Sequence, residues 1–335
     1  MKFLICGLGS IGRRHLRNLR ALGQDDILLY RTHHATLPEE ELAGLPVFTN
    51  LDEALAQEPD AVIISNPTAA HMSVALPASA AGCALFIEKP ISHNMTGMHE
   101  LRANLARSGK PVLVGFHFRF HPVLQKIKAL LGSGELGEPL SLTAHWGEYL
   151  PDWHPWEDYR QSYAARADLG GGVVLTLSHP LDYLRWLAGE VDSVSAQMGK
   201  VSPLELEVED YAEINLGFRS GAAGHVHLDY FERPAAHWLE IIATNGFVRW
   251  VNASGSAEIY TVSTNSWQRL DPPGGFERNA MFLAEMAHFV RVCQGLEPYD
   301  CCLLYTSDAA DDLLRVDFGG RRLLEKKKKH INTID

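Results

Sequence analysis

One stretch of the sequence determines the fold of the N-terminal half: Lys2-Phe3-Leu4-Ile5-Cys6-Gly7-Leu8-Gly9-Ser10-Ile11-Gly12. The almost wholly apolar run Lys2–Cys6 predicts a strand covered on both faces, and the helical pattern Ile11–Leu22 follows at once. The glycines, spaced GxGxxG, therefore lie in the turn between a strand and a helix. Gly7 permits the tight turn, Gly9 lets the backbone approach a pyrophosphate, and Gly12 allows close packing of helix on strand. Because the helix N–H groups at Ser10 and Ile11 then face the anion, the stretch predicts a dinucleotide site.

Beyond this turn, short apolar runs alternate with helical patterns up to residue 116. Asn50 is suited to cap a helix N-terminus, and Gly23, Gly82 and Gly109 follow helical patterns as C-terminal glycines do. The alternation predicts an α/β Rossmann domain over residues 1–118, with a doubly wound parallel sheet. The remaining predicted strands are Ile27–Tyr30, Ala61–Ser65, Ala84–Ile87 and Val112–Phe116, and the remaining helices are Leu51–Gln57, His71–Ala81 and Met95–Ser108.

The pattern changes after Phe116, where long strand-like segments follow one another with few helices between them. The turns Arg219-Ser220-Gly221 and Asn245-Gly246 join two pairs of these segments. We therefore expect an α+β second domain over residues 119–300, with a mostly antiparallel open sheet. Its predicted helices are Pro122–Leu131 and Asn279–Gln294, and its predicted strands are Leu140–Tyr149, Val208–Phe218, Ala222–Phe231, Trp238–Ala243, Phe247–Val251 and Glu258–Val262.

Composition excludes several classes of protein. A chain of 335 residues with 46% hydrophobic residues is long enough for two domains, and a net charge of −11 argues against a nucleic-acid partner. No apolar run is long enough to span a bilayer, and the N-terminus becomes glycine-rich too early for a signal peptide. The five cysteines form no CxxC motif, which is typical of reduced thiols. These features predict a cytoplasmic protein without a membrane partner.

The C-terminal segment 301–335 resembles translated sequencing-adapter DNA. It contains Cys302-Leu303-Leu304-Tyr305-Thr306-Ser307-Asp308-Ala309-Ala310-Asp311 and, further on, a lysine run. We interpret this tail as non-native, with a genuine basic tail as the alternative.

The residues that follow the second strand bear on the choice of dinucleotide. An NAD site usually has Asp or Glu about 20 residues after the glycine turn, where it binds the ribose. Arg31 stands 19 residues after Gly12, beside Thr32, and no carboxylate is present there. Arg31 could pair with a 2′-phosphate and Thr32 could add a hydroxyl, so the sequence favours NADP over NAD. The alternative is that Arg31 points to solvent.

Several motifs in the same order resemble the Gfo/Idh/MocA oxidoreductase family, which includes glucose–fructose oxidoreductase and inositol dehydrogenase. They are Glu88-Lys89-Pro90, Ser65-Asn66-Pro67 with His71, Phe118-Arg119-Phe120-His121-Pro122, Gly170-Gly171-Gly172 and Ser178-His179-Pro180-Leu181-Asp182. The resemblance implies an NAD(P)-dependent enzyme that interconverts an alcohol and a ketone on a sugar, cyclic polyol or sugar nucleotide. It also implies that the lysine contacts the reacting hydroxyl, that its proline is often cis, and that subunits associate through the second sheet as dimers or tetramers.

Lys89 and His179 are the predicted proton-transfer pair. Lys89 ends a parallel strand at the edge where such sheets bind ligands, and His179 carries Asp182 on the same helical face. The alternatives are a surface lysine paired with Glu88 and a structural histidine. Many relatives have an acid shortly before this histidine, whereas this chain has Thr176, which cannot act as a base near neutral pH. We therefore expect two proton-transfer residues rather than three.

The remaining predicted site residues fall into two groups. The loop Glu148–Arg160 is aromatic and polar, as a sugar site requires, although packing on the sheet or on a neighbouring subunit explains it equally well. The predicted substrate residues are Thr176, Asp182 and four residues of this loop, namely Tyr149, Trp153, Trp156 and Arg160. The predicted cofactor residues are Gly7, Gly9, Ser10, Ile11, Gly12, Arg31, Thr32, Asn66, Pro67, His71, Glu88, Lys89 and Arg119.

Two other functions share this scaffold. One is a redox-neutral enzyme that oxidises a sugar transiently and eliminates a glycosidic substituent. The other is an inactive dinucleotide sensor, which the absence of the acid at Thr176 suggests and the presence of Lys89 opposes. His225, His227 and Asp229 alternate on one predicted strand face, but we predict no metal site there, because a polar sheet face at a subunit contact explains them better.

Overall fold

The computed structural model describes residues 1–31 and 40–298. Thr32, one of the predicted cofactor residues, lies outside the described residues. So does the segment 301–335 that we interpret as adapter-derived.

The first sheet has six strands, all parallel, in the order β3-β2-β1-β4-β5-β6. This strand order is that of a dinucleotide-binding Rossmann domain, so the predicted fold of the N-terminal half is confirmed. The two-residue strand β3 at the sheet edge was not predicted, because a run so short carries no periodicity. The strands are β1 Phe3–Cys6, β2 Ile27–Tyr30, β3 Val47–Phe48, β4 Ala61–Ile64, β5 Ala84–Glu88 and β6 Val112–Gly115.

Helices cover both faces of this sheet and begin and end close to the predicted residues. Asn50 caps its helix through its side chain, which accepts hydrogen bonds from the N–H groups of Asp52 and Glu53. The fourth helix begins three residues later than predicted, because Gly97 before it has a left-handed backbone with φ of 82°. The helices are α1 Ser10–Ala21, α2 Leu51–Leu55, α3 His71–Ala80 and α4 Met98–Ser108.

The second sheet has eight strands in the order β14-β13-β12-β11-β7-β10-β9-β8. Every neighbouring pair is antiparallel except β7 and β10, as expected for a mostly antiparallel open sheet. The sequence did not predict the edge strands β8 and β14, because most of their residues are exposed and lack an apolar alternation. The strands are β7 Pro139–Gly147, β8 Val191–Gly199, β9 Tyr211–Phe218, β10 Ala223–Asp229, β11 Ala236–Ala243, β12 Gly246–Val251, β13 Ser256–Thr261 and β14 Ser266–Leu270.

Helices pack on one face of the second sheet, where alternate strand residues form the core. In β9, for example, Ala212, Ile214, Leu216 and Phe218 are buried and join this core with Leu184 of α7. The last helix, α8, behaves differently: Met286, Phe289 and Val290 pack into the core of the first sheet. The chain therefore returns to its N-terminal half after completing the second sheet. These helices are α5 Pro122–Ser133, α6 Val173–Thr176, α7 His179–Ala188 and α8 Arg278–Cys293.

Within the described ranges, no helix has both the length and the apolar character that crossing a bilayer requires.

Candidate cofactor and proton-transfer site

The glycine turn has the geometry that close approach of a dinucleotide requires. A Cβ on Gly7 would lie 2.5 Å from the backbone N of Asn66, and one on Gly12 would lie 2.0 Å from the carbonyl O of Gly7. By contrast, a Cβ on Gly9 would meet no atom within 4 Å. Gly7 and Gly12 are thus required by packing within the protein, while Gly9 faces open space at the start of α1. No side chain caps this helix, so its first N–H groups remain available to a pyrophosphate.

The loop after β4 lies against the glycine turn, where a Cβ on Gly7 would meet the backbone of Asn66. Pro67 is exposed and Asn66 half-buried, with the Asn66 side chain donating to the carbonyl of Ala70. His71 is buried, and its two ring nitrogens lie 2.9 and 3.0 Å from the carbonyl oxygens of Asn66 and Pro90. The His71 ring thus connects the segment after β4 with the segment after β5.

The two arginines predicted to bind the cofactor, Arg31 and Arg119, have different surroundings. Arg31, directly after β2, has only 7% of its surface exposed, which excludes the alternative that it points to solvent. Arg119 lies between the two sheets and donates two hydrogen bonds, from Nε at 2.9 Å and from Nη2 at 2.6 Å, to the carboxylate of Asp182 on α7. Arg119 and Asp182, predicted to bind cofactor and substrate respectively, therefore bind each other.

Lys89 follows β5 directly, and its peptide bond to Pro90 is cis. Its Nζ donates a hydrogen bond of 2.7 Å to the carbonyl oxygen of Thr176. It does not pair with Glu88, whose carboxylate instead lies 2.7 Å from Nε2 of His15 and accepts the N–H of Lys89. Burial opposes ionisation of Glu88, but the hydrogen bond and charge of His15, together with the charge and backbone N–H of Lys89, outweigh it and lower the pKa of this carboxyl. Glu88 therefore fixes the backbone at Lys89 and leaves the amine free to reach the second half of the chain.

His179 begins α7, three residues after Thr176, and is almost completely buried. Burial lowers the pKa of its ring well below the usual value, and the neighbouring His117 and Lys89 lower it further. Its Nδ1 is buried without a hydrogen-bond partner among the described residues. The imidazole is thus neutral near pH 7, and the Lys89 amine binds the carbonyl of Thr176, three residues before His179.

His117 and Trp146, which contact the His179 ring, and His237, which contacts Trp146, were not predicted as site residues. His117 meets the His179 ring edge-on at 4.4 Å between centroids, and Trp146 stacks on it at 5.7 Å. His237 stacks in turn on Trp146 at 4.1 Å, and burial lowers the pKa of His237 to about 3. These contacts fix the orientation of the His179 ring. Their local sequence signal is weak, because each residue lies on a different element.

A glutamate at the end of β7 is the other residue that the sequence analysis did not single out. Glu148 accepts a hydrogen bond of 2.7 Å from the indole N–H of Trp146. Burial raises the pKa of Glu148, while Trp146, Arg278 and Lys89 oppose this shift. The alternation of β7, which puts Trp146 and Glu148 on one face, is the signal that could have found it.

The predicted substrate loop divides into a part near this site and a part away from it. Tyr149 and Trp153 line an open cavity of about 460 Å³ together with Glu148 and Arg233, and the Arg233 guanidinium lies 3.8 Å from the centre of the Tyr149 ring. In contrast, Trp156 is 75% exposed, and exposed Arg160 is paired with Asp158 and Glu205. Arg160 is therefore engaged at the surface.

A histidine cluster lies on the opposite face of the second sheet. The side chains of His145, His227 and Asp229 bring one ligand atom each to within 4.8 Å of one another. The two imidazoles stack nearly parallel, with an interplanar angle of 13°, so their lone pairs do not converge on one ion. The carboxylates of Asp229 and Glu213 accept hydrogen bonds from the two ring nitrogens of His227 and raise its pKa to about 9, which favours a proton over a metal ion.

Two family models match the chain. Residues 1–116 match the one described as "Oxidoreductase family, NAD-binding Rossmann fold", and residues 124–249 match the one described as "GFO/IDH/MocA C-terminal domain".

The chain is also similar to named dehydrogenases. Inositol 2-dehydrogenase of Acidiphilium cryptum is 32% identical over 234 residues, which are 65% of this chain and 63% of that protein. The first three curated relatives are matched over 57%, 64% and 63% of their own lengths, which is less than two thirds.

Solved structures show the same fold. Levoglucosan dehydrogenase in complex with NADH superposes with a TM-score of 0.78 at 17% identity, covering 88% of this chain and 90% of that one. UDP-N-acetylglucosamine 3-dehydrogenase from Acidithiobacillus ferrooxidans gives a TM-score of 0.72 at 23% identity, covering 90% and 91%. At this identity the likeness concerns the fold alone.

Proposed function

Because this chain belongs to the GFO/IDH/MocA oxidoreductase family, we propose that it interconverts an alcohol and a ketone on a sugar, cyclic polyol or sugar nucleotide, with a nicotinamide dinucleotide as oxidant. The observation that carries the proposal is the position of the Lys89 amine, which leaves the first sheet and binds the backbone of Thr176 beside the buried imidazole of His179. An amine and a neutral imidazole in one cleft are the groups that a reacting hydroxyl needs.

The cofactor, when bound, supplies the nicotinamide ring that exchanges hydride with the substrate carbon. The open space at Gly9 and the uncapped N-terminus of α1 would hold its pyrophosphate. Lys89 would donate a hydrogen bond to the substrate oxygen and stabilise the negative charge that develops there. His179 would lie against the same oxygen and exchange its proton, with His117 and Trp146 holding its ring in place.

The substrate class is drawn from the relatives. Relatives and structural neighbours are named as dehydrogenases of inositol, levoglucosan and UDP-N-acetylglucosamine, which are all cyclic compounds that carry hydroxyl groups. The cavity beside Glu148 offers aromatic faces for sugar C–H groups and polar side chains for hydroxyls. These features support a cyclic polyhydroxylated substrate.

The identity of the dinucleotide depends on Arg31. The matching N-terminal family is described as NAD-binding, and the levoglucosan dehydrogenase structure holds NADH. Arg31, however, stands where an NAD site has a carboxylate, and a guanidinium there favours a 2′-phosphate. We therefore propose that both dinucleotides are accepted and that Arg31 shifts the preference towards NADP.

The proposal also includes self-association through the second sheet and a cytoplasmic location. In the described part of the chain, the helices pack on the opposite face of the second sheet from Trp238 and Phe247, and the face with these two residues would join a second copy. Cys6, Cys83 and Cys293 are free thiols, as a reducing cytoplasm allows. Light scattering coupled to size exclusion measures the association directly.

The test is a screen of NAD and NADP reduction over cyclic polyols, sugars and sugar nucleotides, with the wild type and Lys89→Ala. We expect reduction by the wild type and a kcat lower by about 10²–10⁴-fold in Lys89→Ala. Equal turnover by the two proteins would refute the assigned role of Lys89. Substrate turnover with bound cofactor and no net reduction would assign the redox-neutral function instead, and tight cofactor binding without any turnover would assign the sensor.

A further inference from the structure

Two arginine side chains share the ring of Phe282. The Cζ of Arg14 lies 4.4 Å from the centre of this ring, and the Cζ of Arg278 lies 5.9 Å from it. Arg14 is half-buried on the second turn of α1, whereas Arg278 is the exposed first residue of α8. Two positive charges are therefore held at one aromatic ring, where these two helices pack together.

Neither of these arginines has a carboxylate partner. Within residues 1–31 and 40–298, no ion pair or hydrogen bond joins either guanidinium to another group. The arginines on either side of Arg14 in α1 differ from it, because Arg13 and Arg17 lie 3.7 and 2.9 Å from the carboxylate of Glu41. Arg14 and Arg278 thus keep their N–H donors available to a ligand.

The two unpaired guanidinium groups repel each other. Burial lowers the pKa of Arg14, and the charges of Arg278 and Arg17 lower it further. The carboxylate of Glu88 acts in the opposite direction, but it is bound to His15. An anion held by both arginines would offset this repulsion, so the arrangement favours a negatively charged ligand.

Ring contacts connect the arginine pair with the proposed proton-transfer site. Phe282 stacks on His117 at 4.1 Å between centroids, and His117 meets the ring of His179 at 4.4 Å. Together with the contact of 4.4 Å between Arg14 and Phe282, these two contacts form the whole path from the guanidinium to the imidazole. The path is short enough for one molecule to place a hydroxyl group at His179 and an anionic group at the arginines.

The chemistry of arginine indicates which anion this is. A guanidinium presents a planar fork of N–H donors that fits the oxygens of a phosphate, and two forks suit its two negative charges. The pyrophosphate of the dinucleotide has its own place at Gly9 and the uncapped N-terminus of α1. The arginine pair is therefore left for a phosphate of the substrate.

We propose that Arg14 and Arg278 form a subsite for a phosphate group of the substrate, which makes the substrate a sugar phosphate or a nucleoside diphosphate sugar rather than a neutral polyol. The inference rests on the proposed oxidoreductase function and narrows its substrate class. No bond is made or broken at this subsite. The two guanidinium groups donate hydrogen bonds to phosphate oxygens and so orient the sugar ring towards Lys89 and His179.

The first experiment measures anion binding to the full chain saturated with NADH, so that the dinucleotide site is occupied. Inorganic pyrophosphate is the probe, and calorimetric titration at low salt gives its Kd for wild type, Arg14→Gln, Arg278→Gln and the double variant. We expect a loss of affinity of about tenfold or more in each single variant, and a larger loss in the double variant. Arg17→Gln, an exposed arginine of the same helix, is the matched control and should bind pyrophosphate as the wild type does.

Folding is checked by thermal unfolding of each variant. Arg278 is exposed, so Arg278→Gln should keep the wild-type melting temperature and provides a test that does not depend on the half-buried Arg14. Arg278→Lys keeps the charge and loses the planar fork, so it should recover only part of the affinity.

Three further ligands identify the source of the phosphate. Glucose, glucose 1-phosphate and UDP-glucose are titrated into the same NADH-saturated proteins. We expect the wild type to bind a phosphorylated ligand about tenfold or more tightly than glucose, and the double variant to lose this preference. Equal affinity for the two phosphorylated ligands would assign recognition to a single phosphate, and tighter binding of UDP-glucose would assign it to a nucleoside diphosphate.

Three results would count against these assignments, and they are distinguishable. Pyrophosphate that binds the wild type and the double variant equally, or binds neither, would overturn the subsite and leave the proposed function intact if the wild type reduces a dinucleotide with a neutral polyol. An equal loss of affinity for NADH and for pyrophosphate in the double variant would assign the arginines to the dinucleotide and overturn the substrate subsite. A wild type that neither binds NADH nor reduces a dinucleotide would refute the proposed function, and the subsite with it.

Discussion

The Nζ of Lys89 lies 2.7 Å from the carbonyl oxygen of Thr176, across 87 residues of chain. Lys89 follows the fifth strand of the parallel sheet, whereas Thr176 ends a short helix that packs against the second sheet. This hydrogen bond therefore joins the two halves of the molecule at the point where the chemistry is proposed. It also orients the amine towards His179, three residues after its acceptor.

The glycine turn allows folding and cofactor binding to be separated. Gly9 has a backbone that alanine can adopt, with φ of −69°, and faces open space, so Gly9→Ala should keep the melting temperature and weaken NADH binding at least tenfold. Gly12→Ala would force a Cβ against the Gly7 carbonyl and should cost about 1–3 kcal/mol of stability. Thermal unfolding and NADH fluorescence titration measure the two effects. Equal losses of stability in both variants would contradict this assignment.

Arg31 should control the choice of dinucleotide. Arg31→Asp removes a guanidinium and introduces the carboxylate that binds a ribose 2′-hydroxyl, so the ratio of kcat/KM for NADP to that for NAD should fall. A charge-assisted hydrogen bond contributes about 1.5–3 kcal/mol, which corresponds to about 10–100-fold. Arg20→Asp, on the exposed side of α1, is the charge-matched control. If the ratio is the same in wild type and Arg31→Asp, the phosphate-binding role of Arg31 is wrong.

The buried pair of Arg119 and Asp182 should be strongly coupled. The Asp182 side chain is 2% exposed and its carboxylate accepts both donors of the Arg119 fork. Arg119→Met leaves an uncompensated buried charge and should cost about 3–5 kcal/mol, and Asp182→Leu should cost a similar amount. The double variant should lose less stability than the two single variants together, because neither charge is then buried without its partner. Urea denaturation of all four proteins measures this coupling, and simple additivity would count against it.

Glu285 on α8 should make stability depend on pH. Both of its carboxylate oxygens are buried without a hydrogen-bond partner in the ranges that the structure describes. Burial raises the pKa of Glu285 well above the usual value of 4.5, and the charges of Glu88 and Asp182 raise it further. The folded state then binds a proton that the unfolded state has released, so the stability falls as pH rises above about 4.5 towards the folded-state pKa.

Glu285→Gln removes this dependence. We expect the free energy of unfolding at pH 8 to exceed that of the wild type by about 1–3 kcal/mol, and the melting temperature to rise accordingly. At pH 5 the difference should be smaller. Exposed Glu258→Gln on β13 is the control and should follow the wild type at both values. A gain of the same size at both pH values would refute ionisation as the cause.

Sequence patterns predicted the elements with strong local signals. The buried strand Ala84–Glu88 was predicted over Ala84–Ile87 as an apolar run, and Asn50 and Gly109 marked the ends of helices because capping depends on neighbouring residues. The strands β3, β8 and β14 were not predicted, since an edge strand buries little and needs no apolar alternation. The position of α8 against the first sheet has no local signal either, because its apolar stripe does not specify which core it covers.

By itself, the amino-acid sequence determined the dinucleotide turn, the order of strands and helices in the N-terminal half, and the candidates Lys89 and His179. Each of these depends on residues close together in the chain, whose backbone conformation and periodicity follow from side-chain chemistry. Only the tertiary structure decided that Arg119 binds Asp182, that Arg160 is engaged at the surface, and that Trp146 stacks on His179. These contacts join residues far apart in sequence, and packing of the two sheets and their helices, rather than any local pattern, brings their side chains together.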